Sequence, residues 1–291
     1  MLMAALGLMF AAGGLLTLRW RSVGYRPWPS PPAAGDPAPA GPPVAALLPT
    51  IALRYARGLA IGLGAGFWAG LLMTGPAVRL IMRLLAATAG AEAQGALTEA
   101  EEVVGDISLG GTIGLVMFGG VIPGQLSAAV YLLVRRWLPA GWRGGLLFGA
   151  LHLVVVATRA DPLRPGNEDF DLVGPGWLSV ATFGLATLLH GMAVVAFVNR
   201  YSRVLPPATK SARAWTGSLL PAVPVLIVPF VLVPAAIGLG LALILGRLDA
   251  RGRVAASRRF LVGGRLALAA VAIVLMPGTL VDLYDLVVRP A

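Results

Sequence analysis

Few side chains in this 291-residue chain could do chemistry, and they lie far apart in the sequence. His152 and His190 are the two histidines, each inside a long uncharged stretch. Imidazole titrates near neutral pH, binds metals and relays protons. Gln125 brings two donors and an acceptor into a third such stretch. Arg79 and Arg83 are four residues apart and so share a helix face. Asp282 and Asp285 are three apart and share one as well. The chemistry open to this set is proton transfer, substrate contact, anion binding or gating. No catalytic motif joins the residues. Cysteine is absent, which removes thiolate nucleophiles, disulfides and cysteine metal sites. No HExxH pairing is present either. Neither a metal nor a cofactor is expected.

The elements that carry these residues are long and apolar. Residues 1–18, 58–78, 107–134, 144–158, 172–199, 214–246 and 266–281 contain no Asp, Glu, Lys or Arg. About 20 such residues span a bilayer core as a helix. In hydrocarbon each backbone N–H and C=O must be paired within the protein, so repeated stretches imply a helical bundle. Composition agrees: 57% of residues are hydrophobic, 12% are charged and the mean hydropathy is +0.82. The expectation is an all-α polytopic transmembrane bundle of about seven spans, six to eight. It divides into an N-terminal helix over 1–18, a Pro-rich cytoplasmic linker over 19–57 and the bundle over 58–288. Nine prolines between Pro27 and Pro49 underlie the linker reading.

Charge gives the expected orientation. Residues 19–57 hold five Arg against Asp36, and 88–106 hold five acids and no base. Residues 135–143 hold three Arg, 159–175 hold two Arg against four acids, and 199–215 hold four bases and no acid. By the positive-inside rule these loops alternate in, out, in, out, in, with the N-terminus outside. The apolar run over 1–18 precedes its arginines, the reverse of a secretory signal, and reads as a retained helix. Six Arg in 247–265 place that loop inside too, which one crossing by 214–246 cannot satisfy. That stretch has four prolines, and two readings stand: a bent single span or a re-entrant hairpin.

Counting along the spans sets the depth of each polar group. His152 is six residues from Thr158, about 9 Å deep, and His190 is 14 from Gly176, about 21 Å deep. That offset of roughly 12 Å argues against a metal shared by both. Gln125, 16 residues from Leu109 and about 24 Å deep, is the expected hydrogen-bond partner of His190. A structural clamp and a proton or substrate site are both open to that pair. For Arg79 and Arg83 the accounts are snorkelling, pairing with the acidic outer loop, or pairing with Asp282 and Asp285. The last requires the final span to run outward. Thr98 to Gly105 reads as a short capped surface helix, with Glu101 at the reciprocal capping position. Its acids and those of the next outer loop could attract Ca²⁺, though no EF-hand spacing is present.

Glycines repeat every fourth residue at Gly62, Gly66 and Gly70, at Gly110 and Gly114, at Gly120 and Gly124, and at Gly145 and Gly149. Such faces let helix backbones approach, within one chain or between chains.

The run from Gly66 to Arg83 (GFWAGLLMTGPAVRLIMR), Gly110-Gly111-Thr112, Leu133 to Arg136 with Leu138-Pro139, and Arg143-Gly144 with Phe148-Gly149 carry a likeness. Over roughly residues 58–200 the chain resembles uncharacterised multi-pass membrane proteins of high-GC bacteria. The resemblance implies a bacterial plasma-membrane protein and assigns no activity and no functional residue. Among function classes, a non-enzymatic scaffold or accessory subunit leads. A transporter or channel using the Pro-broken segment, Gln125, His190 and the arginine pair is the alternative. A lipid-modifying enzyme is the second alternative. The expected partners are the bilayer, with anionic headgroups at the Arg-rich loops, and another membrane protein or a second copy at a glycine face. The net charge of +10 belongs to those loops and does not imply nucleic acid.

Overall fold

A computed structural model describes residues 1–27, 44–205 and 257–289. The Pro-rich stretch 214–246, residues 28–43 of the linker and residues 247–256 of the basic loop lie outside the described residues. The helices are α1 (Leu2–Trp20), α2 (Val44–Ala69), α3 (Gly75–Thr88), α4 (Leu109–Val116), α5 (Ile122–Val134), α6 (Trp142–His152), α7 (Asp169–Leu172), α8 (Gly176–Val204) and α9 (Arg258–Val287). Val44 lies within the segment read from sequence as linker, so α2 starts earlier than the apolar stretch it serves. Among the described residues, five helical runs are long and apolar enough to cross a membrane: Leu2–Trp20, Arg54–Thr88, Leu109–Val134, Gly176–Val204 and Arg258–Val287. Trp142–Ala157 is a shorter apolar helix. The fold is an all-helical bundle, as expected.

Two of the long runs are joined through π-turns. Gly70–Thr74 links α2 to α3, and Met117–Val121 links α4 to α5. Each precedes a proline, Pro76 and Pro123, at the start of the next helix. A proline inside a helix has no N–H for the carbonyl four residues back, and its ring crowds that carbonyl. The wider π-turn makes room and the helix continues. A third π-turn, Leu153–Ala157, extends α6.

Two glycine crossings hold the centre. An added Cβ at Gly66 would strike Gln125 Cα, and one at Gly70 would strike the Gly120 carbonyl. A Cβ at Gly124 would strike the Gly66 carbonyl in return. The second crossing sets Gly145 and Gly149 of α6 against Met192, Leu188 and Gly191 of α8. Bare backbones in contact maximise van der Waals packing where lipid offers no hydrophobic gain. Gly110 and Gly114 have the same spacing but face open space, with nothing within 4 Å. Spacing shows which residues share a face; the neighbouring helix decides whether that face is used.

The ends differ in charge. At one end Arg135 lies over the Tyr25 ring at 3.7 Å, Arg203 Nε donates to the Gly24 carbonyl at 2.8 Å and Arg57 donates to the Ser202 carbonyl at 2.6 Å. The loops of residues 19–27 and 135–143 therefore meet the close of α8 at a basic end. At the other end Arg164 clasps both Glu99 oxygens at 2.7 Å, and Asp169 Oδ1 accepts from the Glu99 N–H at 2.7 Å. Thr98 to Gly105 is not the helix expected there. Leu97 bridges Val103 in antiparallel fashion, and Glu101 takes a left-handed backbone with φ of 59°. Thr98 Oγ1 accepts from Glu102 N–H, closing a turn. Docking of Glu99 on the neighbouring loop outweighs the local capping pattern.

Helix α9 runs from the basic to the acidic end. Phe260 stacks obliquely on Trp137, with centroids 5.7 Å apart, while Arg289 pairs with Asp171 at 3.0 Å. Leu205 and Ser257, which flank the undescribed stretch, thus sit at the same end of the bundle. How 214–246 connects them, by a bent span or a hairpin, lies outside the described residues.

Candidate functional site

The polar centre of the bundle is a chain of four side chains from four segments. Thr74 comes from the first π-turn, Ser127 from α5, His152 from the end of α6 and His190 from α8. Thr74 Oγ1 lies 2.7 Å from His190 Nδ1, and Ser127 Oγ lies 2.9 Å from His190 Nε2. Ser127 Oγ is also 3.5 Å from His152 Nε2, a long contact. The two imidazole centroids are 5.4 Å apart. A neutral imidazole has one N–H and one bare nitrogen, so His190 donates to one hydroxyl and accepts from the other. The chain of bonds is therefore directional, and exchanging both tautomers and hydroxyls reverses it. His190 is buried at 3% exposure.

Two expectations about these residues are corrected. Gln125 does not pair with His190. Its Nε2 donates to the Leu63 carbonyl at 3.3 Å, and its Oε1 has no hydrogen-bond partner among the described residues. Ser127 takes the place beside His190. Two residues turn a helix by about 200°, so Gln125 and Ser127 face nearly opposite sides of α5. The Gly66 crossing commits the Gln125 side of α5 to α2, which leaves the Ser127 side toward α8.

The second correction concerns depth. The roughly 12 Å offset predicted between the histidines is absent. Helix α9 shows part of the reason. The end of α6 meets α9 at Thr279, whose Oγ1 donates to the Val154 carbonyl at 3.2 Å. The start of α8 meets it at Leu286, where a Cβ on Gly176 would strike the carbonyl. Those two positions are seven residues apart, about 10 Å along the helix. Val154 is itself four residues, about 6 Å, short of the Thr158 from which depth was counted. Gly176 therefore lies about 4 Å farther out than Thr158, and counting inward from both as if level overstated the offset by that much.

The arginine pair is held locally. Arg79 Nε donates to Thr112 Oγ1 at 3.2 Å, and Arg83 Nη1 donates to the Gly105 carbonyl at 3.2 Å. Both partners belong to the loop and helix start at the acidic end, so the contact is with that loop's backbone and hydroxyl and not with its carboxylates. Asp282 and Asp285 lie on the acidic-end half of α9, yet among the described residues neither pairs with Arg79 or Arg83. A different arginine contact was not foreseen. Arg159 donates to Thr279 Oγ1 and to the Leu275 carbonyl, both at 3.2 Å, and to the Val154 carbonyl.

Metal binding has little to draw on. His152 and His190 converge on one hydroxyl, but two imidazoles fall short of the four ligands of a structural zinc site. Among the described residues no group of three His, Cys, Asp or Glu could hold an ion. The loop acids Glu99, Asp169 and Asp171 are engaged by Arg164, a backbone N–H and Arg289.

Thr74 and Ser127 were missed in the sequence because hydroxyls are common in apolar helices. The available signal was Thr74 directly before Gly75-Pro76, where a proline-relieved turn exposes polar groups. Comparisons with family models, curated proteins and solved structures give no match.

Proposed function

We propose that the chain is a multi-pass protein of a bacterial plasma membrane, with its basic end in the cytoplasm, acting as a non-enzymatic scaffold or accessory subunit. One observation carries this reading: His190 and three of the arginines on or next to the apolar helices are taken up by bonds to other segments of the protein. His190 has a hydroxyl on each nitrogen, and Arg79, Arg83 and Arg159 each bridge to a neighbouring segment. Such bonds fix helix register. The segregation of basic and acidic loops to opposite ends supports the orientation. Native mass spectrometry after gentle extraction tests the role. A stoichiometric protein partner is expected. Saturable solute uptake by the purified protein in liposomes, with no partner found, would overturn it.

The alternative, transport, is favoured by the Thr74–His190–Ser127–His152 chain, each member of which both gives and takes a proton. A pH-sensitive dye inside proteoliposomes decides. Proton flux that disappears in Ser127→Ala establishes the alternative, and flux equal to empty vesicles removes it.

A further inference from the structure

We infer that the groove between α6 and α9 is a binding site for one anionic glycerophospholipid, with its phosphate at Arg265. The inference rests on the bundle lying in a bilayer, but not on the scaffold role. Helix α9 packs on the rest of the protein near its start and again from beyond its middle to its end, where Leu286 meets Gly176. Near its start Gly264 packs on the Trp137 indole, and beyond its middle Thr279 and Leu275 bond to Val154 and Arg159. Between them α9 stands away from α6 and leaves a laterally open space of about 460 Å³. That volume lies within the roughly 300–1,000 Å³ of small-molecule sites.

The lining explains the chemistry. Arg265, Leu268, Ala269 and Ala272 line it from α9, and Leu147 and Leu151 from α6. The α9 residues recur at three- and four-residue spacing and so form one face. Arg265 stands at the end nearest the basic loops, and the apolar residues continue from it toward the acidic end. A headgroup phosphate at the mouth and an acyl chain along the leucines match that polarity. Arg143 precedes Leu147 by four residues and Arg258 precedes Arg265 by seven, so both add positive charge on the same faces near the mouth. A zwitterionic lipid would fill the apolar space equally but would leave this charge unmatched. A single arginine near a membrane surface favours an anionic lipid by about fivefold.

The test uses the full chain in nanodiscs of equal phosphatidylglycerol and phosphatidylcholine, released into a native mass spectrometer. One retained phosphatidylglycerol is expected, favoured about fivefold over phosphatidylcholine. Arg265→Gln should clearly reduce that preference, leaving only what Arg143 and Arg258 contribute. Ala269→Trp, which fills the groove from an exposed position, should abolish retention of either lipid while the protein stays monodisperse. Equal retention by the unaltered chain, an undiminished preference in Arg265→Gln, or a lipid still held by Ala269→Trp would overturn the site. So would a second copy or partner helix bound in place of lipid and lost in Ala269→Trp. A partner bound elsewhere leaves the scaffold reading standing whatever the lipid result, so the two fail separately.

Discussion

The α2–α5 crossing and helix α9 are two ways of holding an apolar helix, and they could hardly differ more. Of the most apolar window in Arg54–Thr88, 61% is buried against the protein; in Arg258–Val287 it is 6%. At the crossing, Gly66, Gly70, Gly120 and Gly124 bring backbones into contact over two turns. Along α9, Gly263 has nothing within 4 Å, and a few polar or aromatic contacts do the anchoring. Hydropathy does not distinguish them, since α9 is the more apolar of the two. In lipid, apolar character alone gives no attraction between helices; close packing and hydrogen bonds do. What separates the regions is whether a small-residue face has a matching face to meet.

The sharpest way to break the comparison is to put the same side chain into both regions. Gly124→Leu pushes a branched side chain into the Gly66 carbonyl and should cost roughly 4 kcal/mol or more, or prevent folding. Gly263→Leu should change stability by no more than about 0.5 kcal/mol. Reversible unfolding in mixed micelles measures both. Equal costs would mean that α9 packs as tightly as the crossing.

The polar centre gives the next effect. His190→Leu leaves the Thr74 and Ser127 hydroxyls without their shared partner, at about 1–2 kcal/mol. His152→Leu removes one long contact and should cost clearly less in the same assay. A larger loss for His152 would contradict the order of the bonds. Just beyond the end of α9, Asp171→Asn on α7 weakens an exposed ion pair with Arg289 worth at most about 1 kcal/mol. Its signature is local: faster hydrogen exchange over residues 280–288 with the rest of the bundle unchanged.

The smallest effect concerns the acidic loop. Burial pushes the Asp169 carboxyl above its ordinary value of 3.8; Glu99 and Glu168 add to that, while the Glu99 N–H and Arg164 oppose it. The folded state therefore holds this proton more tightly than the unfolded state, and ionisation costs stability at pH values above the raised pKa. Asp169→Asn keeps an acceptor for the Glu99 N–H. It should be slightly more stable than the parent at pH 7 and indistinguishable from it well below pH 3.8. A variant less stable at pH 7 would show that the charge on Asp169 is favourable.

Part of this molecule could be read directly from the chain. The uncharged stretches among the described residues form helices because a long apolar segment satisfies its own backbone only in that way. Among the described residues the basic and acidic loops separated to opposite ends because alternate helices reverse direction. The close approach at Gly66 and Gly124 followed from four-residue spacing, but identical spacing at Gly110 and Gly114 led to open space. The partners of His190, the anchoring of Arg79 and Arg83, and the groove beside α9 were settled only by the tertiary structure. Each depends on the rotation of one helix about its axis and its sliding against another, by about 200° between Gln125 and Ser127 and by about 4 Å between the end of the α6 run and the start of α8. Periodicity fixes which residues share a face of one helix. It carries no information about the level or angle at which a second helix meets that face.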